Sequence, residues 1–292
     1  MNYQQTKVYF DGSHYIGIPH TTQPLKKRKQ GYIEKNKTEE QIKEIYKDST
    51  GETKKEKIKN TIEEINKEIN DIEKSTQLVN ETLEKEKRNK IVRYTRLVRK
   101  LRLQEWTHFC TFTYDSNKLT EDEFRIKLLN CLRHLAHRKK WKYVGVFERS
   151  PDLKRLHFHG IFLIPQMVGE IIETKDYSTK IHKMQIAHQN TFFLNKFGRN
   201  DFRVIDKYGI EDAIKYITKY ITKTGEKVIY SRGLQTYFIT DIIEKDVVCT
   251  IGQEDRKILL FDNFTCFNFD TGEVLGQVCN DNKLINKLPK GY

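Results

Sequence analysis

From Thr38 to about Leu103 apolar residues recur at helical steps, with no proline and only Gly51 as an interruption. Ile58, Ile62, Ile65, Ile69, Ile72, Val79 and Leu83 form a heptad seam in which Thr76 fills the skipped position. Glu and Lys occupy the polar face at neighbouring-turn spacing. A helical hairpin, a coiled-coil homodimer and one amphipathic helix packed inside its own chain all satisfy that seam, and spacing does not choose among them. From Trp106 the period shortens. Trp106–Tyr114, Lys142–Arg149, Leu156–Pro165 and Asp201–Asp206 read as strands. Thr120-Glu121-Asp122-Glu123 reads as the capped start of a helix through His137, and Ile210–Thr224 as a helix stopped by Gly225. The first residues, with Gly12, Gly17, Pro19 and Pro24, suggest an irregular arm with a short strand at Lys7–Phe10. Past Gly233 the chain reads as β-rich. The expected order is an irregular basic arm at 1–37, a helical region with the seam and a basic helix at 38–104, a core of mixed strands and helices at 105–232, and a β-rich extension at 233–292. The fold class is α+β.

Composition narrows the partner. The 292 residues hold 53 Lys and Arg against 40 Asp and Glu, a net charge of +13. Sixteen Phe and 15 Tyr supply bulk for a core although only 37% of the chain is hydrophobic. That balance excludes a collagen-like, mucin-like or wholly disordered chain and argues against an acidic scaffold. No run approaches the ~18 apolar residues of a membrane helix, and the start lacks the apolar region of a secretory signal. Five cysteines without a CxxC pair argue against a disulfide framework or a zinc site, and fit thiols in a reducing cytosol. Between Lys85 and Arg102, nine basic residues face one acid, Glu86. Arg88, Lys90, Arg93, Arg96, Arg99, Lys100 and Arg102 are the candidates there for contacts to nucleic-acid phosphates.

Two constellations carry chemistry. If the strands flanking Pro151 form a hairpin turning between Asp152 and Leu153, Glu148 lies opposite His157 and Val146 opposite His159. Alternation along a strand puts His157 and His159 on one face, so two imidazoles and a carboxylate converge. Such a set binds a divalent cation and leaves positions open for a substrate oxygen. A His-x-His strand by itself is a weak signal, and the register of Glu148 is what strengthens it. The second constellation is the tandem YxxK of Tyr216, Lys219, Tyr220 and Lys223. On a helix the tyrosines stack one turn apart with the lysines beside them. Taken alone, such a stripe is more often an aromatic core face with snorkelling lysines. Its functional reading is a phenol that attacks a phosphodiester and keeps the bond energy in a phosphotyrosine, with an ammonium stabilising the developing charge.

Phe112-Thr113-Tyr114-Asp115, His157-Phe158-His159-Gly160 and the tandem YxxK occur in that order, and together they resemble the three motifs of HUH endonucleases. These are the rolling-circle replication initiators of single-stranded DNA phages and plasmids, and the paired tyrosines look most like the two-tyrosine branch. The resemblance covers roughly residues 106–232. It implies a central antiparallel sheet with flanking helices. Mg2+ or Mn2+ would sit on His157, His159 and Glu148. Tyr216 and Tyr220 would be the nucleophiles, assisted by Lys219 and Lys223. It further implies single-stranded or extruded origin DNA as substrate, a host polymerase and helicase as partners, and the bacterial cytoplasm as location. The long basic helix and the residues between Pro165 and Phe202 fit no part of that pattern. Two other functions remain. A non-enzymatic, coiled-coil DNA-binding regulator explains the seam and the basic helix. A hydrolase of small phosphoesters explains the histidines.

Overall fold

The computed structural model separates into two compact units, residues 21–93 and residues 1–20 with 94–292. It describes residues 2–20, 37–149, 155–178, 182–206, 209–223, 227–251, 256–279 and 283–292. The four consecutive basic residues of the arm, Lys26, Lys27, Arg28 and Lys29, the turn at 150–154 and the expected stop at Gly225 lie outside the described residues, as do the side chains of Tyr220 and Lys223.

The helical unit holds Lys37–Asp48 (α1), Lys54–Ile69 (α2) and most of Ile72–Arg102 (α3). Thr53 opens α2 with a capping box: its side chain accepts from the Glu56 N–H while the Glu56 carboxylate accepts from the Thr53 N–H. Asn70 closes α2 in the left-handed conformation, φ 55°, which asparagine tolerates better than most residues. That stop divides the seam between two helices of one chain, as in the helical hairpin that the spacing left open beside the dimer and the single packed helix. Ile58, Ile62, Ile65 and Ile69 stay on α2, while Val79 and Leu83 pack from α3 into the same core, joined by Ile42 and Ile45 of α1. Ile72, counted in the seam, is 54% exposed. One chain therefore covers its own seam with three helices.

The larger unit contains two principal sheets. Asn2–Phe10 (β1) and Tyr15–Ile18 (β2) are paired strands where an irregular arm was expected. Thr6 and Val8 point inward from β1 while polar neighbours face out. The middle of the chain follows with His108–Thr113 (β3), Glu121–Lys139 (α4), Lys142–Arg149 (β4) and Leu156–Leu163 (β5). Ile171–Ser178 (β6), Lys183–Asn190 (β7) and Thr191–Lys196 (α5) occupy the stretch that the sequence left unassigned. Asn200–Val204 (β8), Gly209–Lys223 (α6) and Ile229–Tyr230 (β9) complete it. Five strands form one antiparallel sheet in the order β8-β3-β5-β4-β9, and β6-β7 is a separate hairpin. The remaining strands are Tyr237–Ile243 (β10), Val247–Ile251 (β11), Lys257–Leu260 (β12), Phe264–Phe267 (β13), Val274–Val278 (β14) and Lys290–Gly291 (β15). They join β1 and β2 in an eight-stranded sheet.

The five-stranded sheet buries apolar side chains on both faces. On one, Phe112, Phe158 and Phe162 pack against Phe124, Leu128 and Leu132 of α4. On the other, Val144, Val146 and Ile161 pack against Ala213, Ile214 and Ile217 of α6. Gly145 and Gly160 are paired across β4 and β5. A Cβ at Gly145 would stand 2.4 Å from the Phe158 ring, so glycine is what lets that ring lie flat on the sheet.

Candidate active site

The hairpin of β4 and β5 has the register the turn position predicts: Glu148 opposite His157, Val146 opposite His159. Cross-strand partners share a face, and this one is the α6 face. On the other side of β5, β3 places Thr113 opposite His157 and Thr111 opposite His159. Each threonine hydroxyl is hydrogen-bonded to the Nδ1 of its histidine, at 2.7 Å for Thr113–His157 and 3.0 Å for Thr111–His159. Holding Nδ1 in this way turns both Nε2 atoms toward the cleft. Burial lowers the pKa of both imidazoles, that of His159 to about 4, against the opposing pull of Glu148. Both rings are neutral at pH 7, the state in which an imidazole donates a lone pair.

Glu148 links the histidines to α6. Its Oε2 stands 3.5 Å from His159 Nε2 and accepts a hydrogen bond from the Tyr216 hydroxyl at 3.0 Å. The Tyr216 ring lies edge-on to both His159 and Phe109, each with a centroid separation of 5.4 Å. α6 reaches this position because Ile214 and Ile217 are buried against the sheet, which puts Tyr216 at the border of the apolar stripe. Lys219 is exposed on the same helix. Tyr220 and Lys223 lie on α6 one turn beyond Tyr216 and Lys219.

A cleft of about 320 Å3 opens beside Glu148 and the two histidines, lined by Thr111, Thr113, Glu148, His157, His159, Gln185, Arg199, Asn200, Asp201 and Arg203, with no described residue of α6 in its lining. The last five come from β7, from β8 and from Arg199 just before it, and sequence reasoning missed them all. Their approach depends on β8 pairing with β3, which no local pattern announces. Thr111 did leave a sign: it and Thr113 have the same i, i+2 spacing as the histidines they support.

Two ligands of one Mg2+, each ~2.1 Å away and at right angles, stand about 3 Å apart. The 3.5 Å between Glu148 and His159 is close to that spacing. The donor set is mixed, one carboxylate oxygen and two neutral imidazole nitrogens oriented from behind with an open side, which suits a divalent cation that accepts nitrogen as well as oxygen. Among the described residues, no group of three or more His, Cys, Asp or Glu stands close enough together to hold a metal ion.

The basic residues of α3 have divided fates. Arg99 pairs with Asp11 at 2.8 Å and lies over the Tyr9 ring, and its side chain is 18% exposed. Arg102 binds the Asp11 carbonyl and pairs with Glu211 in the first turn of α6 at 2.9 Å. Lys100 lies over the Tyr230 ring, and Lys90 pairs with Glu86 at 2.8 Å. Arg88, Arg93 and Arg96 are exposed. Of the four that belong to the larger unit, Arg96, Arg99, Lys100 and Arg102, none lines the cleft.

Residues 107–225 match the family model of the Replication-associated protein ORF2, a match consistent with a replication initiator. The matched stretch contains every residue lining the cleft and the whole of α6. The chain has no match among curated proteins or among solved structures.

Proposed function

We propose that the chain is a replication-initiator endonuclease that nicks one DNA strand through a 5′-phosphotyrosine, leaves a 3′-OH primer for a host polymerase and later rejoins the displaced strand. The observation that carries this reading is the Tyr216 hydroxyl on Glu148, next to His159. The hydrogen bond to Glu148 Oε2 holds the phenol in place, and its proton leaves to solvent as its oxygen attacks phosphorus. The new bond is P–O to Tyr216. The bond that breaks is P–O3′, and the departing oxygen takes a proton from solvent to become the 3′-OH. His157, His159 and Glu148 would hold Mg2+ or Mn2+, which when bound supplies positive charge to the scissile phosphate. Lys219 stands one turn along α6 to stabilise the phenolate. Tyr220 serves the second transfer, when the regenerated origin is cut and the ends are exchanged. The target must be single-stranded or extruded, because attack in line requires the phosphate itself to enter the cleft. Opening the duplex then falls to a host helicase. Such an initiator works in the cytoplasm of a bacterial host, and among the described residues no helix is long and apolar enough to cross a membrane.

A supercoiled plasmid carrying the cognate origin tests the reading. With Mg2+ or Mn2+ the wild type is expected to yield nicked circles bearing protein on the 5′ phosphate. Tyr216→Phe combined with Tyr220→Phe should abolish the adduct. His157→Ala combined with His159→Ala should lower nicking by about 10²–10³-fold or more. DNA binding without a nick under any metal would leave the regulator as the function. Cleavage that leaves no protein-linked end would instead assign a hydrolase.

A further inference from the structure

Across the α6 face of the five-stranded sheet, the functional side chains follow strand order. Glu148 on β4 carries Tyr216, and His157 and His159 follow on β5. Thr111 and Thr113 come next on β3, and Asp201 and Arg203 lie beyond them on β8, with Arg199 immediately before it. Thr111 pairs with Asp201 and Phe109 with Arg203, so these β8 side chains share the histidines' face. At ~4.8 Å per strand the row spans roughly 14 Å from β4 to β8. The Tyr216 hydroxyl stands at one end on Glu148, its ring reaching back against His159 and Phe109, with the imidazoles in the middle and two arginines at the other end.

In-line displacement places the attacking and departing oxygens on opposite sides of phosphorus. With the Tyr216 hydroxyl at Glu148 on β4 and the phosphorus over the histidines, the departing O3′ points toward β8. We infer that the segment of single-stranded DNA on the 5′ side of the nick, the one that ends in the released 3′-OH, runs over β3 onto β8 and is held there by Arg199 and Arg203 through its backbone phosphates. This rests on the function proposed above and adds a polarity to it.

The wall is built for such a role. Arg203 Nε pairs with Asp201 at 2.7 Å, and Arg199 is bridged to Asp176 of β6. A guanidinium has five N–H donors, so one carboxylate orients it and leaves the other donors for an anion. The β6-β7 hairpin is fastened to β8 by side chains instead of a strand ladder. Asn200 Oδ1 accepts from the Asn190 N–H at 2.6 Å, Asn200 Nδ2 donates to the Asn190 carbonyl at 3.1 Å, and Asp201 accepts from the His188 N–H at 3.0 Å. That docking brings Gln185 of β7 to the cleft rim, where its amide can reach a base edge.

Binding of a fluorescent dT20 oligonucleotide without metal, over a range of salt, tests the phosphate contacts independently of nicking. Each phosphate neutralised on a single strand contributes about 0.7 to the log–log salt slope, so Arg199→Gln with Arg203→Gln should flatten it by roughly 1.4. Arg199→Lys with Arg203→Lys keeps the charges and should restore the slope, which separates lost contacts from lost folding. An unchanged slope in the Gln pair, or no restoration by the Lys pair, overturns the inference whether or not the wild type nicks. Polarity is read on an end-labelled origin strand after cleavage. The Gln pair should release the 3′-OH fragment about tenfold faster or more than the wild type. Equal release rates, with protection lost instead from the protein-linked side, overturn the polarity. A flattened slope together with a wild type that never nicks would support the phosphate contacts while refuting the endonuclease reading.

Discussion

An imidazole that is to hold a cation must stay unprotonated, and His159 does so through burial. Its pKa near 4 has a consequence for folding, because the unfolded chain takes up that proton near pH 6.5. Above pH 6.5 both states are neutral at this site and nothing is gained or lost. As pH falls from 6.5 to about 4, only the unfolded state binds the proton, and stability declines by on the order of 3 kcal/mol; below that the loss stops. His157 shifts in the same direction. Urea melts at pH 7.5, 5.5 and 4.5 in EDTA should show the wild type losing more than His159→Gln over that interval, and parallel losses would refute burial as the cause. Of the cleft's residues, His157, His159 and Glu148 were legible because a short turn fixes their register within one hairpin. The repeat singled out Tyr216, which is not among the residues lining the cleft but is hydrogen-bonded to Glu148 beside it. Arg199 and Gln185 were not legible, because what brings them to the cleft is a neighbouring strand remote in sequence.

Single elements are positioned by a few polar contacts. Asn190 is fully buried at the junction of β7 and α5, where its Oδ1 accepts from the N–H groups of Phe192 and Phe193 and its Nδ2 donates to the Val168 carbonyl at 2.6 Å. Asn190→Ala removes a helix cap and strands a carbonyl, for an expected cost of about 2–4 kcal/mol in thermal or urea unfolding. A loss under ~0.5 kcal/mol would mean that solvent replaces the amide. Arg102 does similar work for α6 by pairing with Glu211. Part of the basic density of α3, read from the sequence as a surface for phosphates, is engaged in seating the tyrosine helix and β1. Charge density in a sequence records where cations are, not whether an internal acid already meets them; Asp11 and Glu211 are 88 and 109 residues away from their arginines. The break at Asn70 was hidden for a related reason. Its flanks keep the helical period, and only the backbone reveals the left-handed turn.

On the scale of the whole chain, strand pairing ties early residues to late ones. β1 lies between β2 and β10, with Thr6 opposite Thr240 and Val8 opposite Phe238, and β10 also pairs with β15 near the end of the chain. The pattern of residues 1–20 could not announce this, since Asn2, Gln4, Gln5 and Lys7 leave little apolar alternation to read and the partner lies more than two hundred residues on. A chain ending at Arg232 would keep every cleft residue yet remove β10 and the Phe238, Ile242 and Phe264 side chains that cover Val8 and Tyr15. Its β1 amides should exchange with solvent at rates near those of an unstructured peptide, and retained protection would show that β2 alone suffices. Synthesis imposes the same condition for a time. At ~5–20 residues per second the first strand leaves the ribosome on the order of tens of seconds before its partner exists. During that interval its backbone donors are open to chaperones or to other nascent chains, and a premature stop codon late in the message makes the exposure permanent.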